Sequence, residues 1–98
     1  MTIEIKKHEK ETTIEVVGRL DTITAPVLEK TIGENLINVQ SLVLDMKGLE
    51  YISSAGLRVL LGAHKKMMKL GSMKLTGVCE DVMEIFEMTG FADILTIE

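Results

Sequence analysis

The chain is poor in the residue types that mark several common classes of protein. Its 98 residues include one cysteine, one proline, no tryptophan and only 3% aromatic residues. A single thiol cannot form an internal disulfide, and one cysteine with two distant histidines gives no metal-site spacing. The few aromatic rings offer no platform for stacking nucleic-acid bases. We therefore expect neither a disulfide scaffold nor a metal-binding module.

The charge balance and the lengths of the apolar runs narrow the class further. Acidic residues outnumber basic ones by 15 to 11, whereas a nucleic-acid binder would carry a basic footprint. No apolar run approaches the roughly 20 residues that span a bilayer, and the first residues alternate like a strand rather than a signal peptide. We expect one folded domain over residues 1–98, in the cytoplasm, with no nucleic acid bound and no membrane insertion.

Apolar periodicity predicts eight elements in the order β-β-α-β-α-β-α-β. The first two strands form a hairpin through the polar turn at 8–11. Thr24 is the predicted N-cap of the first helix, which runs to Leu36, and Gly90 ends the third helix before a last strand near 94–97. This alternation predicts an α/β fold, with a small mixed and largely parallel sheet of four or five strands flanked by helices.

The centre of the chain combines a buried strand with a helix. The run Leu42-Val-Leu44 predicts a central strand covered on both faces, which Asp45 is expected to end. A short loop then leads to Ser53 and to a second helix from about Ser54 to Met68. The predicted buried stripe of this helix consists of Leu57, Leu60, Leu61, His64 and Met68.

Two adjacent serines stand where the second helix begins. A serine before a helix is a common N-cap, because its oxygen accepts a hydrogen bond from an early backbone N–H and contributes about 1 kcal/mol. One serine suffices for this, and Ser53 is the better placed. The hydroxyl of Ser54 is then free in the first turn, where unpaired N–H groups and the helix dipole favour a phosphate. Ser54 is the predicted phosphorylation site, with Ser53 as the second choice.

Two aspartates are predicted to lie near Ser54. Asp21 follows the second strand and Asp45 the central one, and groups at the carboxyl ends of parallel strands meet at one edge of a sheet. Either aspartate alone also fits the simpler role of capping a turn. Together with Ser54 they would form one acidic edge, at which an added phosphate would repel an acidic partner surface.

The second helix also carries small, uncharged residues opposite its predicted stripe. Ala55, Val59 and Gly62 share this side, with Arg58 between them and Ser54. Each glycine inside a helix costs about 1 kcal/mol relative to alanine, so the glycines need a reason. The strip fits a surface that a partner approaches closely, and it equally fits the packing of Val59 on a neighbouring helix.

Several motifs, in order along the whole chain, resemble the STAS domain of bacterial anti-sigma factor antagonists. They are Gly18-Arg-Leu-Asp21, Leu-Val-Leu-Asp45, Tyr51-Ile-Ser-Ser-Ala-Gly-Leu57 and Met88-Thr-Gly-Phe91. The resemblance implies a small mixed sheet flanked by helices, and a phosphorylated serine two residues before the motif glycine, which here is Ser54. Many relatives carry an acidic residue just before that serine, where this chain has Ser53.

The resemblance also implies a function. In that family the unphosphorylated domain binds an anti-sigma factor, a serine kinase of the histidine-kinase-like ATPase type, and so releases the sigma factor. The partner then phosphorylates the serine with its own ATP, and a PP2C-type phosphatase reverses the reaction. No cofactor is implied for the domain itself. The predicted partner-binding residues are Asp21, Thr22, Asp45, Ser53, Ser54, Ala55, Arg58, Val59 and Gly62.

Two other functions remain open. A scaffold subunit of a stressosome-like or lipid-transport ATPase complex would keep the fold without phosphorylation, and the strip of small residues on the second helix motivates it. A small hydrolase would use Ser54 as its nucleophile, but the chain has no nucleophile-elbow pattern and no histidine at a persuasive spacing. We expect a binding protein rather than an enzyme, and no bound nucleotide, because no glycine loop could cradle a phosphate.

Overall fold

Strands and helices alternate along the chain as the periodicity predicts. A computed structural model describes residues 1–98. The elements are β1 (Thr2–His8), β2 (Glu11–Leu20), α1 (Ala25–Glu34), β3 (Ser41–Ile52), α2 (Ser54–Leu70), β4 (Ser72–Thr76) and α3 (Glu80–Thr89). A single turn of 3-10 helix, Phe91–Asp93, follows α3. The predicted last strand is reduced to one parallel bridge between Ile97 and Leu75.

The four strands form one sheet in the order β1-β2-β3-β4. β1 and β2 are an antiparallel hairpin, while β3 pairs in parallel with both β2 and β4. The predicted mixed, largely parallel sheet is therefore confirmed. Gly90 adopts the left-handed conformation, with φ of 82°, and ends α3 as predicted. None of the three helices has the length and apolar character to cross a membrane.

The hydrophobic core lies on one face of this sheet. Alternate strand residues such as Ile14, Leu42 and Leu44 join the buried side chains of all three helices in a single cluster. Val43 is also buried but is not part of that cluster, because successive residues of a strand point to opposite faces. The predicted central strand is therefore confirmed, and Leu42, Val43 and Leu44 are all buried, although the three helices pack on one face only.

β3 is longer than predicted. It runs through Asp45 to Ile52, so Asp45 does not end the strand. The pairing of β2 with β3 shifts register twice after residue 15, and β3 gains one residue at each shift. Such bulges break the alternation of buried and exposed positions, which explains why 46–52 does not have the pattern of a strand. Met46, Leu49 and Ile52 are nevertheless buried.

The buried face of α2 is rotated from the predicted stripe. Leu57 and Leu60 are buried as predicted, but Met68 is 71% exposed. Leu61 and His64 are only half-buried. The other buried residues of α2 are Gly56, Val59, Ala63 and Met67. The prediction was wrong because it assigned the large apolar side chains to the core. In the structure, small residues of α2 occupy several core positions, where the helix packs closely.

Candidate functional site

Two segments of the chain meet at the carboxyl ends of β2 and β3. Leu20 and Ile52 are the last pair in register, and the N–H of Ser53 donates to the carbonyl of Leu20 at 2.8 Å. The connector Asp21–Thr24 and the residues Ser53–Arg58 at the start of α2 therefore lie side by side. We call these two segments the Asp21–Ser54 edge.

Gly56 determines how closely α2 approaches the sheet at this edge. A Cβ on Gly56 would lie 2.8 Å from Cγ1 of Ile52 and 2.8 Å from Cγ of Leu20, closer than side chains pack. The absence of that atom lets α2 begin directly on the ends of the two strands. Close packing therefore explains Gly56. It does not explain Gly62, where a Cβ would have no atom within 4 Å.

The two serines differ in what their hydroxyls do. Ser53 has extended backbone angles, and its Oγ accepts from the N–H of Gly56 at 3.4 Å, so the prediction that it caps α2 is confirmed. Ser54 is the first residue of α2, and its side chain is exposed. Its hydroxyl makes no hydrogen bond within the chain, and only its backbone carbonyl is used, by Nε of Arg58 at 3.5 Å. A docked enzyme could reach this hydroxyl.

Asp21 is held in place by its own connector. Its Oδ1 accepts from the N–H groups of Ile23 and Thr24, each at 3.0 Å. The bond from the N–H of Thr24 contributes most to lowering the pKa of the Asp21 carboxyl below its ordinary value, and the guanidinium of Arg19 adds to it, against the opposing effect of partial burial. A fixed negative charge therefore stands beside the start of α2.

Thr24 precedes α1, as predicted for its N-cap, but its side chain does not cap the helix. Its Oγ1 accepts from the N–H of Asp21 at 2.8 Å and donates to the carbonyl of Arg19 at 2.8 Å. The carbonyl of Asp21 accepts from the N–H of Ala25 at 2.8 Å where α1 begins. The capping prediction is wrong for the hydroxyl, because that group ties the connector back to β2.

Asp45 does not belong to the Asp21–Ser54 edge. It lies inside β3, in register with Thr76 at the end of β4. At about 3.3 Å per residue, the strand from Asp45 to Ile52 is on the order of 20 Å long. The predicted acidic edge of three groups is therefore corrected, since the fold brings Asp21 and Ser54 together and leaves Asp45 at a distance.

The strip on α2 is narrower than predicted. Val59 is only 7% exposed and lies with Ile32 and Ala63 where α2 packs on α1. Of the two interpretations, packing on the neighbouring helix is thus the one that the structure supports for Val59. Ala55 and Gly62 are half-buried. Val59 therefore offers little exposed surface of its own, although it lines the groove between the two helices.

A shallow groove separates the starts of α1 and α2. Thr22, Pro26 and Glu29 line one wall, and Ala55 and Arg58 line the other. Arg58 and Glu29 face this groove without forming an ion pair, as the one salt bridge in the protein joins two other residues. The groove therefore brings together four of the predicted partner-binding residues, Thr22, Ala55, Arg58 and Val59, and it places a cation next to Ser54.

Four residues of this region are not among the predicted partner-binding residues. Ile23 is 83% exposed in the connector, and Val27 is 54% exposed on α1. The guanidinium of Arg19 lies 4.3 Å from the centre of the Tyr51 ring. Val27 could have been found, because it falls off the apolar stripe of α1. The Arg19–Tyr51 contact could not, because it depends on the bulged register of β3.

The two histidines are too far from Ser54 to act as its base. His64 lies on the same helix, about 15 Å further along at 1.5 Å per residue. His8 ends β1 and lies with Lys10 and Gln40 at the opposite end of the sheet. The geometry gives no support to the nucleophilic hydrolase.

Comparison with known proteins agrees with the fold. A family model for the STAS domain matches residues 2–98, and the chain therefore belongs to the STAS-domain family. It is 30% identical to the anti-sigma-B factor antagonist of Bacillus subtilis (strain 168) over 98 residues. This match covers 99% of this chain and 90% of the Bacillus protein. Its relatives are thus the anti-sigma factor antagonists within the family.

Solved structures of such proteins share the architecture. The crystal structure of an anti-sigma factor antagonist from Mycobacterium paratuberculosis superposes with a TM-score of 0.88 at 25% identity, over 98% of this chain and 83% of that one. The phosphorylated form of the Bacillus cell fate determinant SpoIIAA superposes with a TM-score of 0.77 at 15% identity, over 99% of this chain and 91% of that one. The second likeness concerns the fold alone.

Proposed function

We propose that this protein is an anti-sigma factor antagonist controlled by phosphorylation. The unphosphorylated form binds an anti-sigma factor that is a serine kinase of the histidine-kinase-like ATPase type, and the sigma factor is released. The partner phosphorylates Ser54, which ends the binding, and a PP2C-type phosphatase restores the active form. Support comes from the similarity to proteins named as anti-sigma factor antagonists over nearly the whole chain.

The exposed and unbonded hydroxyl of Ser54 is the observation that carries the phosphorylation part of this proposal. A kinase needs an acceptor hydroxyl that it can reach without unfolding the substrate. The hydroxyl of Ser53 is half-buried and engaged with Gly56, so phosphorylation there would remove the cap of α2. Ser54 can accept a phosphate without losing any bond that its hydroxyl makes.

The position of Ser54 also gives the modification an electrostatic effect. A phosphate adds about −1.5 to −2 charges at pH 7. Asp21, whose pKa is lowered, already provides a fixed negative charge at the same edge. The phosphate would therefore make the edge strongly acidic and force a docked partner to accommodate a desolvated anion, which weakens binding.

Incubation with the cognate anti-sigma kinase and ATP tests the modification directly. Mass spectrometry is expected to find one phosphate, on Ser54. The Ser54→Ala variant should take up no label, and Ser53→Ala, the matched control, should still be labelled. Phosphate on Ser53 alone, or on neither serine, would contradict the proposal.

Binding to the same kinase tests the switch. Ser54→Ala should bind as tightly as the wild type, and Ser54→Asp at least about tenfold more weakly, the equivalent of about 1.4 kcal/mol. Equal dissociation constants for wild type and Ser54→Asp would refute the electrostatic mechanism. Co-purification with a transporter ATPase in place of a kinase would favour the scaffold alternative. The remaining observation in favour of that alternative is Gly62, which close packing does not explain.

A further inference from the structure

Arg58 is an unpaired cation at the Asp21–Ser54 edge. Its side chain is exposed, and its Nε lies 3.5 Å from the backbone carbonyl of Ser54. The only salt bridge in the protein joins Lys74 and Glu98, so Arg58 has no carboxylate partner. Across the groove, Glu29 is the only other charged residue that lines the same walls. The guanidinium is therefore available to a new anion.

The spacing on α2 directs that guanidinium towards Ser54. Residues four apart on a helix share a face, and their side chains meet. The first turn of α2 contains no acidic residue, so no carboxylate of this turn competes for Arg58. A phosphate on the Oγ of Ser54 would present three acceptor oxygens, which match the forked donors of a guanidinium.

We propose that Arg58 binds the phosphate on Ser54 within the same helix and is a positioning residue of the switch. This inference rests on the phosphorylation proposed above. Pairing with the phosphate would occupy the only cation that lines the groove, so that Glu29 is the one charge left in the groove for a partner to meet. Phosphorylation thus changes the charge of the groove as well as that of Ser54, and both changes act on the surface that a partner would contact.

Other charged groups near Ser54 define the controls. Asp21 on the connector and Glu29 on α1 are acidic, so both raise the second pKa of a nearby phosphate. Arg19 would lower it too, but its guanidinium lies over the Tyr51 ring and has no contact with Ser54, so its effect should be smaller than that of Arg58. Arg19 is therefore the matched control, as an exposed arginine of the same region that the proposal does not pair with the phosphate.

The test uses the full chain with phosphoserine inserted at position 54 during translation, and therefore needs no kinase. Phosphorus NMR over a pH titration gives the second pKa of the phosphate, ordinarily about 6. We expect this pKa to be about 0.5 lower in the phosphorylated protein that keeps Arg58 than in the Arg58→Gln variant. The pKa in Arg58→Lys should lie between them. The difference should shrink in about 1 M salt, where screening is strong. Arg19→Gln should shift the pKa clearly less than Arg58→Gln does.

Equal phosphate pKa values with Arg58 and with Gln at position 58 would overturn the inference. So would a pKa shift in Arg19→Gln as large as the shift in Arg58→Gln. Neither result depends on whether the kinase labels Ser54. A chain that the kinase does not phosphorylate would refute the proposed function, while the inserted phosphate would still report on Arg58. The two proposals therefore fail in different experiments.

Discussion

The two ends of α2 fasten the same helix to the sheet in different ways. At its start, Ser53 bonds to the end of β2, and a ring of side-chain hydrogen bonds from Asp21 and Thr24 holds the connector. At its other end, the fastening is made by the backbone. The N–H of Gln40 donates to the carbonyl of Lys10 at 2.8 Å, and the N–H of Ser72 donates to the carbonyl of Gln40 at 2.9 Å.

The two ends of α2 also differ in the side chains that they expose to solvent. Each end has a glycine where two segments come too close for a side chain, Gly56 at the start and Gly71 at the finish. At the start, the side chains are polar, fixed and charged, and one hydroxyl is free. At the finish, Leu70 and Ile37 are exposed apolar residues, and the polar side chains beside Leu70 make no hydrogen bonds that would fix them. A similar framework thus builds a chemical site at one end only.

The largest effects are expected from adding a side chain at the two close contacts. In Gly71→Ala the new Cβ would overlap the backbone carbonyl of Gln40, which cannot rotate away. We expect a loss of about 3 kcal/mol or more in the free energy of unfolding. Gly56→Ala meets only side chains and should cost about 1–3 kcal/mol. Urea unfolding measures both, and a costlier Gly56→Ala would reverse the comparison.

The next effect separates the two serines. Ser53→Ala removes the oxygen that accepts from Gly56 and should destabilise the protein by about 1 kcal/mol. Ser54→Ala removes a hydroxyl that makes no bond, so its effect should stay within about 0.5 kcal/mol. Thermal unfolding of the two variants side by side provides the measurement. Equal losses would mean that Ser54 also has a structural role.

A smaller and opposite effect is expected at Gly62. A Cβ there would have no neighbour within 4 Å, so Gly62→Ala should stabilise the protein by about 0.4–1 kcal/mol through the unfolded state. Gly33→Ala on α1 has equal space and should behave alike. If a partner packs closely against Gly62, then Gly62→Ala should weaken binding to the anti-sigma kinase and Gly33→Ala should not. Unchanged binding in both variants would remove Gly62 from the partner surface.

The smallest effect is the pH dependence due to Asp21. Its pKa is lower in the folded protein than in the unfolded chain, where it is about 3.9. Its stabilising contribution is therefore complete above that value and is lost as the pH falls through the folded pKa. The gap in unfolding free energy between wild type and Asp21→Asn should be constant from about pH 7 to 5 and narrow below about pH 4. Urea curves that stay parallel down to about pH 2.5 would contradict this.

Local patterns predicted most of the fold because they depend on neighbours in sequence. The order of elements, the hairpin and the cap at Ser53 all follow from periodicity and capping chemistry. The exposed hydroxyl of Ser54 follows from the same reasoning, since one cap needs only one serine. The predictions that failed depend on distant residues. Asp45 was expected at the end of a strand, but bulges carry the pairing of β3 on to Ile52.

Burial on α2 shows the same limit. The sequence marks Met68 as core because it is large and apolar, yet packing on α1 and the sheet selects the side with Gly56, Val59 and Ala63. Which face of an amphipathic helix is buried depends on the shape of the surface it meets, and that surface is built from other segments. For the same reason, the sequence alone does not distinguish whether Val59 packs on a neighbouring helix or faces a partner.

The sequence by itself determined that an aspartate follows the second strand and that two serines stand at the start of the second helix. Only the tertiary structure decided which of those groups meet. The parallel pairing of Leu20 with Ile52 brings Asp21 beside Ser54, and the packing of α1 on α2 turns Arg58 into their shared groove. Pairing register and helix packing are set by contacts between residues far apart in the chain, which no local pattern records.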